Sequence, residues 1–327
     1  MEPHGKELVI VRLLKEARGG YVSGEAISHR LGISRTAVWK HIQTLRNSGY
    51  HVESSPRKGY RLNPSFQPFN AHEIKSLLTT ELIGRNLHFR SSVDSTNTLA
   101  AALAKDGAPD GTVVVADSQR SGRGRLGRRW HSPEGVNIYT SVVLRPAIPP
   151  HEAHHFTFLA GVAVAEAVEE YSKVRPVLKW PNDILVDGRK LGGILTELSS
   201  EADRVNFIVV GIGLNVNMDT KRLPDDVSGV ATSLKDITGR EHSRAEVLAG
   251  LYSSLEKWYK RFQKEGFHVV LRRWKEYFGF EGRRIVVKGR EVIEGVCMGV
   301  DGEGTLVVTL PSGTSRKVVA GDLEVIE

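Results

Sequence analysis

The stretch 118-SQRSGRGRLGRRW-130 sets five arginines, Arg120, Arg123, Arg125, Arg128 and Arg129, around Gly122, Gly124 and Gly127. Guanidinium groups supply fixed positive charge and paired N–H donors for carboxylate or phosphate. Glycines let backbone N–H groups approach an oxyanion and keep a loop mobile. The combination suits a reaction in which two anions must meet, because their repulsion is part of the barrier. Gly122-x-Gly124-x-x-Gly127 also has the spacing of a dinucleotide-binding turn, which needs a helix to begin at its second or third glycine. Here RRWHSPEG follows, without helical periodicity, and then another strand, 137-NIYTSVVL-144, so the dinucleotide reading fails on context. A second nucleic-acid patch and a solvated basic loop remain as alternatives.

Other segments carry candidate chemistry. In 179-KWPNDILVDGRKLGGIL-195, Lys179, Asn182 and Asp183 surround a Trp-Pro turn that leads into a hairpin. Lys190, beside paired glycines, could reach an anionic ligand, and Asp183 could help hold Mg²⁺ on a nucleotide; the plainer alternative is a rigid turn with a solvated lysine. In 93-VDSTNTL-99, Ser95 or Thr96 is a good N-cap, and hydroxyls there can also bind a neutral polar ligand. Gly211 and Gly213 lie late in an apolar strand, where glycine admits a ligand or another backbone. Residues 151-HEAHH-155 match the H-E-x-x-H zinc pattern. Pro149 and Pro150 put that match in a frayed first turn, so it is set aside. Cys297 reads as core, and no Ser/His/Asp or Cys/His grouping can be argued from spacing.

These residues need elements to hold them. A chain of 327 residues that is 40% hydrophobic and 25% charged has the material for two or three domains. A single cysteine excludes an intrachain disulfide, and there is no signal-peptide core at MEPHGKELVI and no membrane-length apolar run. A cytoplasmic protein without membrane partners is expected. Residues 1–62 hold eleven Lys and Arg against five Glu and no Asp, most of the chain's net charge of +7, which predicts a polyanion partner for that module. Leu8, Val11 and Leu14 have helical spacing; Ser23 caps GEAISHRL, ended by Gly32; and Ser34 caps 35-RTAVWKHIQTLRNS-48, closed by Gly49. Val38, Ile42 and Leu45 form the inner stripe of that last helix, leaving Arg35, Thr36, Trp39, Lys40 and Gln43 outside. The strands 50-YHVE-53 and 59-GYRL-62 flank a basic tip, Arg57 and Lys58, and complete a winged helix-turn-helix. Three core helices with solvated charges are the bland alternative.

After a Pro-containing linker, 63-NPSFQPFN-70, residues from about 71 to 275 alternate strand patterns (112–117, 137–144, 205–216) with helical ones (95–105, 151–172, 243–263). From about 281, RRIVVKG, TLVVTL and SRKVVA separated by DGEG and PSG turns predict a small all-β module.

The motifs DSTN, QRSGRGRLGRRW, KWPNDI…GRKLGGIL and GIGLNVN, in this order behind a helix-turn-helix, resemble those of the bifunctional biotin–protein ligase and biotin-operon repressor family over nearly the whole chain. The resemblance implies an α+β fold: a winged helix-turn-helix over 1–63, a linker over 64–70, a catalytic domain over 71–278 whose mixed sheet is like that of class II aminoacyl-tRNA synthetases, and an SH3-like C-terminal β-barrel over 279–327. It implies ATP and Mg²⁺ with biotin as substrate and no tightly bound prosthetic group. Biotin's carboxylate attacks the α-phosphate to give biotinyl-5′-AMP, and a lysine of a biotin carboxyl carrier protein then takes the acyl group. Carried over by motif, Ser95, Thr96, Asn97 and Gln119 line the biotin pocket. Arg123, Gly124 and Arg125 wrap the carboxylate and phosphate, with Lys190 at the same junction and Arg123, Arg125 and Lys190 as the catalytic set. Gly211, Gly213 and Asn215 lie against biotin or nucleotide, and Asn182 and Asp183 face the triphosphate, with Asp183 as metal candidate. Arg35, Thr36, Trp39, Lys40, Arg57 and Lys58 bind operator DNA, as a homodimer when the adenylate is bound. A lipoate–protein ligase and a non-catalytic small-molecule-sensing transcription factor are the alternatives.

Overall fold

The structure, a computed structural model, describes residues 5–63, 68–222 and 228–326. Residues 64–67 of the expected linker lie outside the described residues. The chain divides into two compact units, Met1–Thr79 and Thr80–Glu327.

In the first unit, helices α1 (Gly5–Glu16), α2 (Gly24–Leu31) and α3 (Arg35–Asn47) precede a hairpin of β1 (Val52–Ser55) and β2 (Gly59–Leu62). The expected caps form: Ser23 Oγ accepts from Ala26 N at 3.0 Å, Ser34 Oγ accepts from Ala37 N at 3.2 Å, and Gly32 closes α2 at φ +62°. Each cap satisfies an N–H or C=O that a helix end leaves unpaired. Ile10, Val11, Leu14, Ile27, Val38, Ile42 and Leu45 form one buried core. The first wing strand starts at Val52, two residues later than expected from YHVE. Tyr50 is instead drawn into the core, where its hydroxyl donates to Glu73 at 2.8 Å. Glu73 lies on α4 (Ala71–Leu77), which groups with this unit although the sequence boundary at 71 assigned it to the next. A fully buried carboxylate needs partners, and those of Glu73, Tyr50 and Lys15, belong to the first unit.

The second unit is built on a seven-stranded mixed sheet of β3 (Leu87–Val93), β4 (Val113–Gln119), β5 (Ile138–Leu144), β6 (Val177–Lys179), β7 (Asp183–Val186), β8 (Arg189–Glu201) and β9 (Arg204–Leu214). Its order is β3-β4-β5-β9-β8-β7-β6, with β3 and β4 parallel and every other pair antiparallel. All seven residues of β5 are buried, as expected of a strand covered on both faces. On one face Val143, with Val114 and Val209, packs against Ala100 and Ala104 of α5 (Thr96–Lys105). On the other, Thr140 meets the Tyr252 hydroxyl of the long helix Arg244–Glu265 at 2.5 Å. Around the sheet stand α6 (His155–Ser172), α7 (Leu234–Thr238), α8 (Arg244–Glu265) and α9 (Phe267–Tyr277). Strand β3 and helix α9 were absent from the sequence reading; β3 is an edge strand with irregular inside–outside alternation.

The tail forms a five-stranded antiparallel sheet of β10 (Arg284–Lys288), β11 (Val292–Val300), β12 (Leu306–Thr309), β13 (Ser315–Val318) and β14 (Asp322–Val325), in the order β13-β12-β11-β10-β14. The tail is an open sheet and not the expected barrel. Among the described residues β13 and β14 do not pair with each other, so the sheet is open rather than closed. Both are four residues long, and Ser315, Arg316 and Lys317 leave β13 with an exposed polar surface that needs no further pairing. Cys297 is buried in β11 with a free thiol.

Candidate functional site

A cavity of ≈ 260 Å³ opens in the second unit where the ends of β4 and β9, the start of α5, the arginine loop and the β7–β8 hairpin converge. Ser95, Thr96 and Asn97 enter from α5, Gln119 from β4, and Arg123, Gly124 and Arg125 from the loop. Asn182, Asp183 and Lys190 come from the hairpin, and Gly211, Gly213 and Asn215 from β9 and the residue following it. Thus all thirteen expected ligand-pocket and nucleotide residues, ten from Ser95 to Lys190 and three from β9 and its end, share one cavity.

The floor is a polar network that fixes the neutral side chains. Thr96 N donates to Gln119 Oε1 at 2.8 Å, and Gln119 Nε2 donates to Ser132 Oγ at 3.0 Å. Ser141 Oγ, from the buried strand β5, lies 2.6 Å from Asn97 Oδ1 and 2.8 Å from Thr96 Oγ1. Asn97 Nδ2 donates to Glu197 Oε2 at 2.7 Å and to Leu195 O at 3.2 Å. Such cross-linking sets which end of each amide faces the cavity, because buried polar atoms must be satisfied. Ser95 occupies the N-cap position of α5 without making a side-chain cap bond, so its hydroxyl is not engaged by the helix end. Asn215 has a structural job as well: its Nδ2 donates to Thr232 O at 3.0 Å and its Oδ1 accepts from Asn137 at 3.3 Å.

The two β9 glycines face protein rather than open space. A Cβ on Gly211 would lie 2.1 Å from Asn97 Oδ1, and one on Gly213 would lie 2.6 Å from the Trp130 ring. Glycine is therefore required there so that an amide and an indole can press against the sheet. Trp130, which closes the arginine motif, was not singled out from the sequence. Its buried indole Nε1 has no hydrogen-bond partner, and Lys190 Nζ stands 5.4 Å from a ring centroid.

The arginine loop joins β4 to β5 through a three-residue 3-10 turn, Arg125–Gly127, with Leu126 at φ +56° and exposed at its tip. Arg123 donates to Thr98 Oγ1 at 3.2 Å and pairs with Glu197 at 3.3 Å. Arg125 Nη1 reaches Asn182 Oδ1 at 3.3 Å and Gly321 O at 3.4 Å, while Asp322 of the tail stands 3.8 Å from it. Arg128 pairs with the same carboxylate at 2.5 Å. Burial pulls the Arg125 pKa down; Asp322 and Asp183 oppose that shift and Arg128 adds to it. Sequence reasoning missed Asp322, Glu197 and Ser141. Trp130 at least carried a signal, being contiguous with the arginines, whereas the other three stand in unremarked stretches far along the chain.

Lys190 Nζ lies 2.6 Å from Asp183 Oδ1, yet that buried oxygen makes no hydrogen bond of acceptable geometry. Among the described residues no three His, Cys, Asp or Glu side chains converge as a metal cage. The H-E-x-x-H residues fall in a 3-10 turn, Pro150–Glu152, and at the start of α6. His155 there stacks on Phe267 at 3.7 Å, and burial, helped by His154 and His151, depresses its pKa to about 3.

In the first unit, Arg35, Thr36, Trp39 and Lys40 are all exposed on α3, Trp39 at 53%. Arg57 and Lys58 are exposed at the hairpin turn, which rests on Tyr21 through Arg61 at 4.9 Å and Lys58 at 5.9 Å. They belong to a different unit from the cavity residues.

A protein-family model described as the biotin/lipoate A/B protein ligase family matches residues 89–215, the segment holding most of the cavity wall. The bifunctional ligase/repressor BirA of Bacillus subtilis is 40% identical over 318 residues, covering 96% of this chain and 97% of that protein. The chain belongs to the biotin/lipoate A/B protein ligase family. Its likeness extends to the bifunctional ligase/repressor BirA of Escherichia coli, 33% identical with 94% of each chain covered. A helix-turn-helix domain family matches residues 6–61, so the family's ligase segment is joined here to a DNA-binding type of domain. Among solved structures, a biotin protein ligase from Aquifex aeolicus in complex with biotin and ATP is similar with a TM-score of 0.64 and 31% identity, covering 74% of this chain and 99% of that one. Among the described residues, no helix is long and apolar enough to cross a membrane.

Proposed function

We propose that this protein is a bifunctional biotin–protein ligase and biotin-operon repressor. The observation that carries the ligase half is the convergence of Arg123, Arg125 and Lys190 on a cavity floored by neutral amides and hydroxyls. One end of that cavity suits an uncharged polar ring system and the other suits anions.

In the first step a biotin carboxylate oxygen attacks the α-phosphorus of ATP; the new P–O bond forms as the bond to pyrophosphate breaks. Arg123, Arg125 and Lys190 offset the repulsion between the two anions and the charge that builds at the phosphate. The floor, from Ser95, Thr96, Asn97 and Gln119, orients the ureido ring so that the carboxylate faces the loop. In the second step an ε-amine of a biotin carboxyl carrier protein attacks the acyl carbon, and AMP leaves. Closure of Gly124 and its neighbours over the mixed anhydride keeps water out until the amine arrives. Asn182 and Asp183 face the triphosphate, and Asn215 borders the nucleotide. Mg²⁺ binds through one or two carboxylates plus substrate phosphates; the Asp183 carboxylate, which Lys190 approaches at 2.6 Å, would be the one to hold it, and the ion would supply charge neutralisation on the phosphates.

In the repressor half, Arg35, Thr36, Trp39 and Lys40 present α3 to the major groove and Arg57 and Lys58 contact phosphates. The adenylate-bound protein acts as a homodimer on a palindromic operator, in the cytoplasm. Residues 1–63 form the DNA-binding domain, the second unit from Thr80 to about 278 the catalytic domain, and 279–327 a small antiparallel β domain. The deciding assay is ATP–pyrophosphate exchange with biotin, lipoate or no acid added. Exchange with biotin alone is expected; exchange only with lipoate, or none with either, overturns the reading.

A further inference from the structure

The turn between tail strands β11 and β12, residues 301–305, is held against the body of the second unit by Trp180, Phe158 and His154. Trp180 Nε1 donates to Gly304 O at 3.2 Å, a Cβ on Gly304 would lie 2.8 Å from the Phe158 ring, and His154 Nε2 meets Glu303 O at 2.7 Å. The other ring nitrogen, Nδ1, meets His151 O at 2.8 Å. A carbonyl oxygen only accepts, so both nitrogens must donate, and that requires the imidazolium. A neutral ring has a single N–H, and either tautomer sets a lone pair against a carbonyl. The same turn is tied to the segment that reaches the arginine loop: Asp301 accepts from Glu303 N and Thr305 N at 3.0 Å each and pairs with Lys317 of β13 at 2.8 Å. Shortly beyond Lys317, Gly321 O meets Arg125 and Asp322 meets Arg125 and Arg128. We propose that protonated His154 is a positioning residue for the arginine loop: it holds the tail turn in place, and through it Gly321 and Asp322 at Arg125 and Arg128. The role rests on the ligase reading above, and it makes nucleotide binding weaken as pH rises.

Opposed influences act on this ring, and histidine is the side chain that ordinarily changes charge between about pH 5 and 8. His154 stands at the N-cap of α6 without a side-chain cap bond, where the helix dipole disfavours a cation. His151 of the preceding turn and Arg125, both lining a cavity of ≈ 410 Å³ with His154, add charge of the same sign when protonated. The two carbonyls favour the imidazolium, as do the carboxylates of Glu303 on the tail turn and of Glu152, which lies 4.0 Å from His151. His155, with its ring centroid 4.4 Å away, is buried and neutral, and α9 presents the uncharged Phe267 ring at 6.5 Å. The sign follows. Both hydrogen bonds are present at low pH, and one is lost when the ring gives up its proton. His154 is itself exposed, so that loss loosens the tail turn and leaves the buried core as it is.

The full-length protein is compared with His154→Ala and His154→Arg at about pH 6 and about pH 8.5, on either side of the usual histidine range. Ratios of variant to unmodified protein at each pH cancel the titration of the substrates. Biotin-dependent ATP–pyrophosphate exchange gives kcat and KM for ATP, and amide hydrogen–deuterium exchange reads the protection of residues 301–305 without calling on activity. At the lower pH His154→Ala is expected to raise KM for ATP and to speed deuteration of the turn, each by about threefold or more, with kcat unchanged within about twofold. At the higher pH the alanine variant and the unmodified protein converge. His154→Arg keeps its charge and several donors, so it is expected to equal the unmodified protein at the lower pH and to show the smaller KM at the higher. An alanine effect of equal size at both pH values, or none at the lower, overturns the proposal. Faster deuteration with an unchanged KM overturns it too, since the turn would then be held without consequence for the loop. Absence of biotin-dependent exchange in the unmodified protein would instead overturn the ligase reading and the positioning role with it, even where deuteration shows the pH-dependent clasp.

Discussion

Gly213 and Trp130 are packed so closely that a Cβ on the glycine would stand 2.6 Å from the indole. The ring therefore owes its place over the cavity to the missing side chain. Gly213→Ala is expected to displace Trp130 and weaken biotin binding by about tenfold, with an overpacking penalty of about 1–3 kcal/mol in stability. Calorimetric titration with biotin checks this; wild-type affinity would show that the indole does not shape the pocket.

Arg125 touches Asn182 and the tail backbone and is neighboured by Asp322. Arg125→Ala is expected to slow biotin-dependent exchange by about a hundredfold and to let the adenylate escape. Retention of radiolabelled adenylate after desalting is the measurement; accumulation and retention as in the unmodified protein would refute the charge-neutralising role.

Asp322 holds the loop from the far end of the chain, 2.5 Å from Arg128 and 3.8 Å from Arg125. Asp322→Asn removes that charge and leaves the loop less restrained. The expected result is a rise of about tenfold in KM for ATP with a smaller change in kcat. Equal steady-state constants for the two proteins would assign the carboxylate to tail stability alone.

Glu256 of α8 accepts from the backbone N–H groups of Glu81, Leu82 and Ile83 at 2.9, 2.8 and 2.9 Å. Burial by itself would raise the pKa of this carboxyl; the three N–H donors and Lys260 outweigh it and hold the group below its ordinary value of 4.5. With the folded pKa below the unfolded one, the stabilisation is complete above the unfolded value and disappears as pH falls through the folded value. Glu256→Gln is expected to cost about 2 kcal/mol near neutral pH and to flatten the acid limb of the stability curve. Urea melts between pH 3 and 7 test it, and parallel curves for the two proteins would contradict it.

Trp39 is 53% exposed on α3, so its truncation should leave the fold intact. Trp39→Ala is expected to weaken operator binding in fluorescence anisotropy without moving the melting temperature. Arg57→Ala should instead reduce the slope of log K against log salt by about 0.9. Binding that ignores both changes, or that ignores biotin plus ATP, would place the DNA contacts or their coupling elsewhere.

Local patterns reported the capped helices of the first unit well, because N-cap serines, a C-terminal glycine and a 3.6-residue stripe act within a few residues of each other. They failed where burial overrode them. Tyr50 left the wing strand for the core, and Glu73 carried α4 into the first unit by pairing with Lys15 and Tyr50. Strand β3 has too weak an alternation to be recognised before it pairs with β4.

By itself the sequence determined the order of the motifs, and with them the candidate residues from Ser95 to Asn215 that line the cavity. Only the tertiary structure decided that Ser141 fastens Asn97, that Glu197 meets Arg123, and that Asp322 reaches back to the arginine loop. Contacts between residues so far apart in the chain follow from strand order and the satisfaction of buried polar groups, and neither leaves a trace in local spacing.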